Sequence, residues 1–248
     1  MPGPASVHLL PSLIPPGALA GGVAIVVDVL RATTAMAHAL ASGIEAILPC
    51  VEVDEARRAA AGLPSGTALL GGERQGLPIE GFDLGNSPGS YTPEVCRGKT
   101  LVMTTTNGTR AIQASLEADR VLIAAFVNLR ATVAALSAES RPIHVVCAGT
   151  DGLISLEDSL LAGALLEGIL AGGAPANDAG LLALAAWRHG AGRMAAESLS
   201  LSQILSEGRG GRRVREIGLA PDLEDASRTD RFDLTAELRR DPLRILRV

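Results

Sequence analysis

Four stretches of this chain end an apolar run in residues that bind ions. "VAIVV" is followed by "DVLRATT", offering Asp28, Arg31, Thr33 and Thr34. "TALLGG" is followed by "ERQGLPIEGFDLGNSPGSY", with Glu73, Arg74, Asp83, Asn86 and Ser87. "KTLVM", which opens on Lys99, is followed by "TTTNGTRAI", with Thr105, Thr106, Asn107, Gly108, Thr109 and Arg110. "IHVVCAG" is followed by "TDGLISLEDS", with Asp151, Ser155, Glu157 and Asp158. Carboxylates suit a hard divalent cation such as Mg²⁺. Arginines and the free N–H groups of helix starts suit an oxyanion. Together they describe a phosphate ester held against a metal.

The elements that must position these residues alternate along the chain. Short β-branched runs, continuous in apolar character and without polar alternation, predict buried strands at Val23–Val29, Ile44–Leu48, Thr67–Gly72, Lys99–Thr105, Asp119–Ala125 and Arg141–Gly149. Alanine-rich segments of helical spacing lie between most of them, several closed by glycine. That rhythm predicts an α/β fold, with a mostly parallel sheet flanked by helices in three layers. From about residue 155 the strand signal fades into a helix-rich C-terminal half, and the charged tail after Arg209 resists placement. One domain over residues 1–248 is the simplest division. In an open parallel sheet ligands bind outside the carboxyl ends of the strands, which is where the four polar loops fall.

Composition excludes several classes. The net charge is −5 and aromatic residues make up 2%, so neither a basic footprint nor stacking platforms for nucleic acid are present. Cys50, Cys96 and Cys147 are far apart and odd in number, suggesting neither a disulfide framework nor a thiolate metal site. The first residues carry no positive n-region, and no window is long and uncharged enough to span a bilayer. The expectation is a soluble, cytoplasmic protein.

Each candidate also has a structural reading. Thr106 or Asn107 could cap the helix that begins at "GTRAI". Ser155 and Asp158 have the spacing of a capping box, and Glu73 with Arg74 could form a structural ion pair. Asp28 resists such a reading, because a charge at the end of a buried strand is costly unless something uses it. "GKT" at Gly98–Thr100 precedes its strand and lacks the upstream glycine of a P-loop. "RHG" at Arg188–Gly190 follows a helical segment and not an early strand. A non-catalytic module binding an anionic phosphorylated metabolite is the competing class, although a pure anion binder gains nothing from carboxylates beside its ligand.

"DVLRATT", "GGERQGLPIEGFDLGNSP", "TTTNGTRAI", "FVN" at Phe126–Asn128 and "CAGTDGLISLED", in that order, resemble the 2-phosphosulfolactate phosphatases of coenzyme M biosynthesis. The resemblance implies a Mg²⁺-dependent hydrolase that converts (2R)-2-phospho-3-sulfolactate, or a related 2-phosphorylated hydroxy acid, to the free hydroxy acid and phosphate. On that reading the metal takes carboxylates drawn from Asp28, Glu73, Glu157 and Asp158. Asp28 is the choice of nucleophile if a phosphoenzyme forms. Arg31, Arg74, Lys99 and Arg110 are candidates to neutralise phosphate, carboxylate and sulfonate, with Arg74 assigned to the carboxylate. Thr105, Thr106, Asn107 and Thr109 donate to the transferring oxygens, with Thr33, Thr34, Asn86, Ser87 and Gly108 completing the cradle. The leucine-rich stretch "LLAGALLEGILAGGAPANDAGLLALAAW" adds an expectation of a homodimer.

Overall fold

The strand that ends at Asp28, β2 (Val23–Val27), is buried along its whole length, as a strand covered on both faces must be. In a computed structural model, which describes residues 2–248, it lies inside a ten-stranded sheet. Parallel neighbours flank it: β7 (Arg120–Ala124) on one side, and on the other β8 (Ile143–Cys147), which in turn pairs with β1 (Ala5–His8). A second parallel block joins β3 (Ala46–Cys50), β6 (Thr100–Thr104) and β4 (Ala68–Arg74), with the two-residue β5 (Leu77–Pro78) antiparallel at its edge.

The tail joins the two blocks. Its last strands, β9 (Ala236–Arg239) and β10 (Arg244–Arg247), sit between β7 and β3 and are antiparallel to each other and to both neighbours. The segment that sequence could not place is therefore the seam of the sheet. Across it the two parallel blocks run in opposite senses. Five strand-to-strand steps separate β2 from β6, and at about 20–25° of twist per step they turn the second block through more than a right angle. The carboxyl ends of β4 and β6 are thereby carried round toward that of β2.

Side-chain alternation along β2 defines the layers. Val23, Ile25 and Val27 pack on one face with Leu160, Leu161 and Leu165 of α6 (Leu156–Leu170), against which α7 (Asp178–Glu197) is laid. Ala24 and Val26 pack on the other face with Ala32, Ala35 and Met36 of α1 (Ala32–Ala41) and with Ala111 and Ile112 of α4 (Gly108–Ala114). The smaller helices α2 (Val53–Ala61), α3 (Pro93–Cys96) and α5 (Leu129–Ala134) cover the crossovers. The C-terminal half is helix-rich as expected. It continues through α8 (Leu201–Glu207), α9 (Arg209–Glu216) and α10 (Pro221–Ser227) before returning to strand, so Arg209 begins a helix and not an irregular tail. No helix among the described residues is long and apolar enough to cross a membrane. All three cysteines are free and buried, and burial raises each thiol above its ordinary pKa.

Candidate active site

The converging strand ends enclose a cavity of about 590 Å³. Asp28, Arg31, Glu73, Gln75, Gly76, Asn86, Thr106, Asn107, Thr150 and Asp151, all from the predicted loops, line it. The opposite wall is α9, with Arg209, Arg212, Arg213 and Glu216.

Asp28 sits where β2 stops. Its backbone is fixed by Thr33, whose hydroxyl accepts from the Asp28 N–H and lies 2.9 Å from the Asp28 carbonyl, to which it donates. Thr34 donates in the same way to the Val29 carbonyl. Both predicted threonines are thus spent on shaping the turn, and neither lines the cavity. The Asp28 carboxylate accepts one bond, from the Ala32 N–H at 3.2 Å. Burial, then the nearby carboxylates of Asp158, Glu73 and Glu157, push its pKa well above the ordinary range. Gly108 is required beside it, because a Cβ there would lie 2.8 Å from Asp28 Oδ2 and 2.5 Å from the Ala32 methyl.

Arg31 is 4% exposed and pairs with Asp222 of α10 at 2.6 Å. Ser87 shares that carboxylate at 2.9 Å, and the guanidinium also donates to the Gly76 carbonyl. Asp222 is a site residue that sequence reasoning missed. It lies in the tail, and nothing in "APDLEDAS" distinguishes it from a helix-start acid.

The threonine run divides its labour. Thr105 Oγ1 accepts from the Thr109 N–H, and Thr109 Oγ1 donates to the Thr105 carbonyl, so these two shape the start of α4. Asn107 occupies the N-cap position without a side-chain cap bond and faces the cavity. Thr106 gives its N–H to Glu73 Oε1 at 2.7 Å, and Glu73 Oε2 accepts from the Gly76 N–H at 2.6 Å. Glu73 thereby ties the end of β4 to the end of β6 while remaining on the cavity wall.

Other expected residues lie elsewhere. Arg74 turns its guanidinium to the Val51 carbonyl, its neighbour's carbonyl and Thr104 Oγ1, a scaffold role outside the cavity lining. Lys99 precedes β6 and stands at the strand end remote from the site. Arg110 is exposed and outside the lining, because its place in α4 faces solvent. Asp158 accepts from the Val29 and Gly149 N–H groups, stapling the loops after β2 and β8. Burial raises its pKa to about 6. The Ser155 side chain makes no cap bond to α6. Glu157, raised to about 8 chiefly by burial and then by Asp158, packs against Gly208 and Gly210, with Oε2 unpartnered. Asp158 and Glu157 therefore stand behind the cavity, not on its lining, since their oxygens face backbone amides and the glycines of α9.

Among the described residues, no group of three or more His, Cys, Asp or Glu is arranged to hold a metal by itself. The donor set still fits Mg²⁺ of a particular kind. This ion keeps several waters and takes one or two carboxylates plus substrate phosphate oxygens, and Asp28 and Glu73 are two buried carboxylates facing one cavity without a cationic partner within ion-pair distance.

Fold and site together define an α/β protein whose strand ends set carboxylates against guanidinium groups around one ligand-sized cavity. The chain belongs to the 2-phosphosulfolactate phosphatase family, a family of phosphoric monoester hydrolases: the model for 2-phosphosulpholactate phosphatase matches residues 8–241. A probable 2-phosphosulfolactate phosphatase of Symbiobacterium thermophilum is 41% identical over 213 residues, covering 85% of this chain and 88% of the relative. One from Caldanaerobacter subterraneus subsp. tengcongensis is 35% identical over 221 residues, covering 87% of each. One from Synechococcus sp. strain WH7803 is 47% identical over 166 residues, covering 66% of this chain and 68% of the relative.

Proposed function

We propose that this chain is a Mg²⁺-dependent phosphatase acting on (2R)-2-phospho-3-sulfolactate or a closely related 2-phosphorylated hydroxy acid. The observation that carries the reading is Asp28. It is a buried carboxylate at the end of the central strand, crowded by other acids, bonded only to one backbone amide, and open to a cavity that also holds Arg31. A structural aspartate would be paired; one left this way is arranged for a cation and a phosphoryl group. Asp28 and Glu73 would hold the Mg²⁺, which supplies charge neutralisation at the phosphoryl oxygens and a more acidic water.

The chain's own groups do the positioning. Arg31, clamped by Asp222 and the Gly76 carbonyl, offers a fixed guanidinium to the phosphoryl oxygens. The Asn107 amide, free of capping duty, donates to the same group. The names of the relatives support the substrate class.

Phosphate release from (2R)-2-phospho-3-sulfolactate, measured with Mg²⁺ and with chelator, is the test. Turnover that depends on the metal is expected, and none on any 2-phosphorylated hydroxy acid would overturn the proposal.

A further inference from the structure

Phosphoryl recognition leaves most of the cavity unused. At about 590 Å³ it has the volume of roughly twenty waters. Its far wall is one face of α9. Arg209, Arg212, Arg213 and Glu216 recur at helical positions i, i+3, i+4 and i+7 and all line the cavity. Gly210, Gly211 and Val214 are the buried residues of the helix, and Gly210 and Val214 also reach the inner edge of the cavity.

The three guanidinium groups are not used up by the protein. Arg209 approaches Asp151 only to 4.0 Å. Arg213 donates to the Gln75 carbonyl at 3.3 Å, and Arg212 donates to the Glu207 carbonyl. Among the described residues, neither Arg212 nor Arg213 has a carboxylate within ion-pair distance. Arg31, by contrast, has a buried carboxylate partner in Asp222 that fixes its guanidinium beside the strand ends. The site is therefore polarised, with Asp28 and Glu73 on the strand-end wall and, on the helical wall, exposed arginines of which Arg212 and Arg213 have no carboxylate within ion-pair distance among the described residues.

The helix is seated to keep that face inward. A Cβ at Gly210 would overlap Glu157 Oε1, and one at Gly211 would overlap the Leu205 carbonyl, so these two positions admit glycine alone.

We infer that Arg212 and Arg213, assisted by Arg209, are the specificity-determining residues for the non-phosphoryl anionic groups of the substrate. α9 selects phosphate monoesters that carry a further carboxylate or sulfonate. The inference rests on the hydrolase reading above and refines it by assigning the second anion to the tail, in place of Arg74.

The test compares two esters and one product. Wild type, R212A/R213A and R212K/R213K are assayed on 2-phospho-3-sulfolactate and on phenyl phosphate, whose only charged group is the phosphoryl. Binding of 3-sulfolactate, which has no phosphoryl group, is followed by calorimetry. For the alanine pair, kcat/KM on the sulfonated ester should fall by about a hundredfold or more, mainly through KM, since charged hydrogen bonds are lost. Phenyl phosphate should change by less than about threefold. Lysine should restore part of the loss, and 3-sulfolactate affinity should drop at least about tenfold in the alanine pair. Equal losses on both esters, or unchanged 3-sulfolactate binding, would overturn the inference. If wild type hydrolyses neither ester, the hydrolase reading fails, and calorimetry alone decides whether α9 reads the second anion. Both arginines are exposed, so a folding defect is not expected, and circular dichroism matching wild type checks this.

Discussion

Asp28 and its neighbours differ in how much a single side chain can change. Asp28→Asn keeps shape and removes charge. We expect activity to fall by about three orders of magnitude or more with an unaltered circular dichroism spectrum. Retention of more than about a tenth of wild-type turnover would exclude Asp28 as a metal ligand or nucleophile. Glu73→Gln should raise the Mg²⁺ concentration needed for half-maximal rate, and an unchanged titration would leave Glu73 as the tie between β4 and β6 only. Asp222→Ala strands the buried Arg31 guanidinium. Breaking a buried pair from one side costs about 3–5 kcal/mol, so the urea midpoint should drop sharply; a midpoint within experimental error of wild type would mean that Arg31 is solvated or otherwise paired.

At the scale of elements, α6 and α9 meet at Glu157. The Glu157 carboxyl is pushed up to about 8 and that of Asp158 to about 6, both above the ordinary carboxylate range and both chiefly by burial. A folded-state pKa raised above the unfolded value means that the native state binds the extra proton. The corresponding stability is fully present below the unfolded values and is lost as pH rises through about 6 and then about 8. In chelator, the Tm should therefore fall by several degrees between pH 5 and pH 8.5. Glu157→Gln, neutral at every pH, should flatten the upper part of that decline. A Tm that rises over this interval would show that these carboxylates are compensated in the native state. Gly210→Ala should weaken activity on the sulfonated ester by displacing α9, since its methyl overlaps Glu157 Oε1; wild-type KM for that ester would show that the helix has room to shift.

Leu181 and Leu182 near the start of α7 are 52% and 65% exposed, adjacent on a helix whose other face packs on α6. A second copy covering this face is expected, with two-fold closure as the commonest arrangement. Light scattering should give a dimer at micromolar concentration and a monomer for L181E/L182E; a monomeric wild type would contradict the expectation.

What the sequence by itself determined is local. Short, β-branched apolar runs bounded by turn residues read as buried strands, so β2, β3, β4, β6, β7 and β8 were legible within a few residues, and with them the α/β class. The polar loops at their ends, read together, identified the family. Which loop residues face the ligand was not legible, because a threonine at a strand end has the same type whether its hydroxyl turns to backbone, as in Thr33, Thr105 and Thr109, or to a carboxylate on the cavity wall, as in Thr106, which donates to Glu73. The pairing of Arg31 with Asp222 spans 191 positions, and no local pattern encodes such a contact. The i, i+3, i+4 arginines of "EGRGGRRVREIG" were a usable helical signal, masked by two glycines within the helix, Gly210 and Gly211, that normally argue against one. Those glycines survive there because α9 is packed tightly against Glu157 and Leu205, a steric demand that exists only once the chain is folded. The tertiary structure also decided the seam. Short strands such as β9 and β10 carry too little periodicity to be read alone, and they form because β7 and β3 each leave an edge of unpaired amides and carbonyls for them to bond.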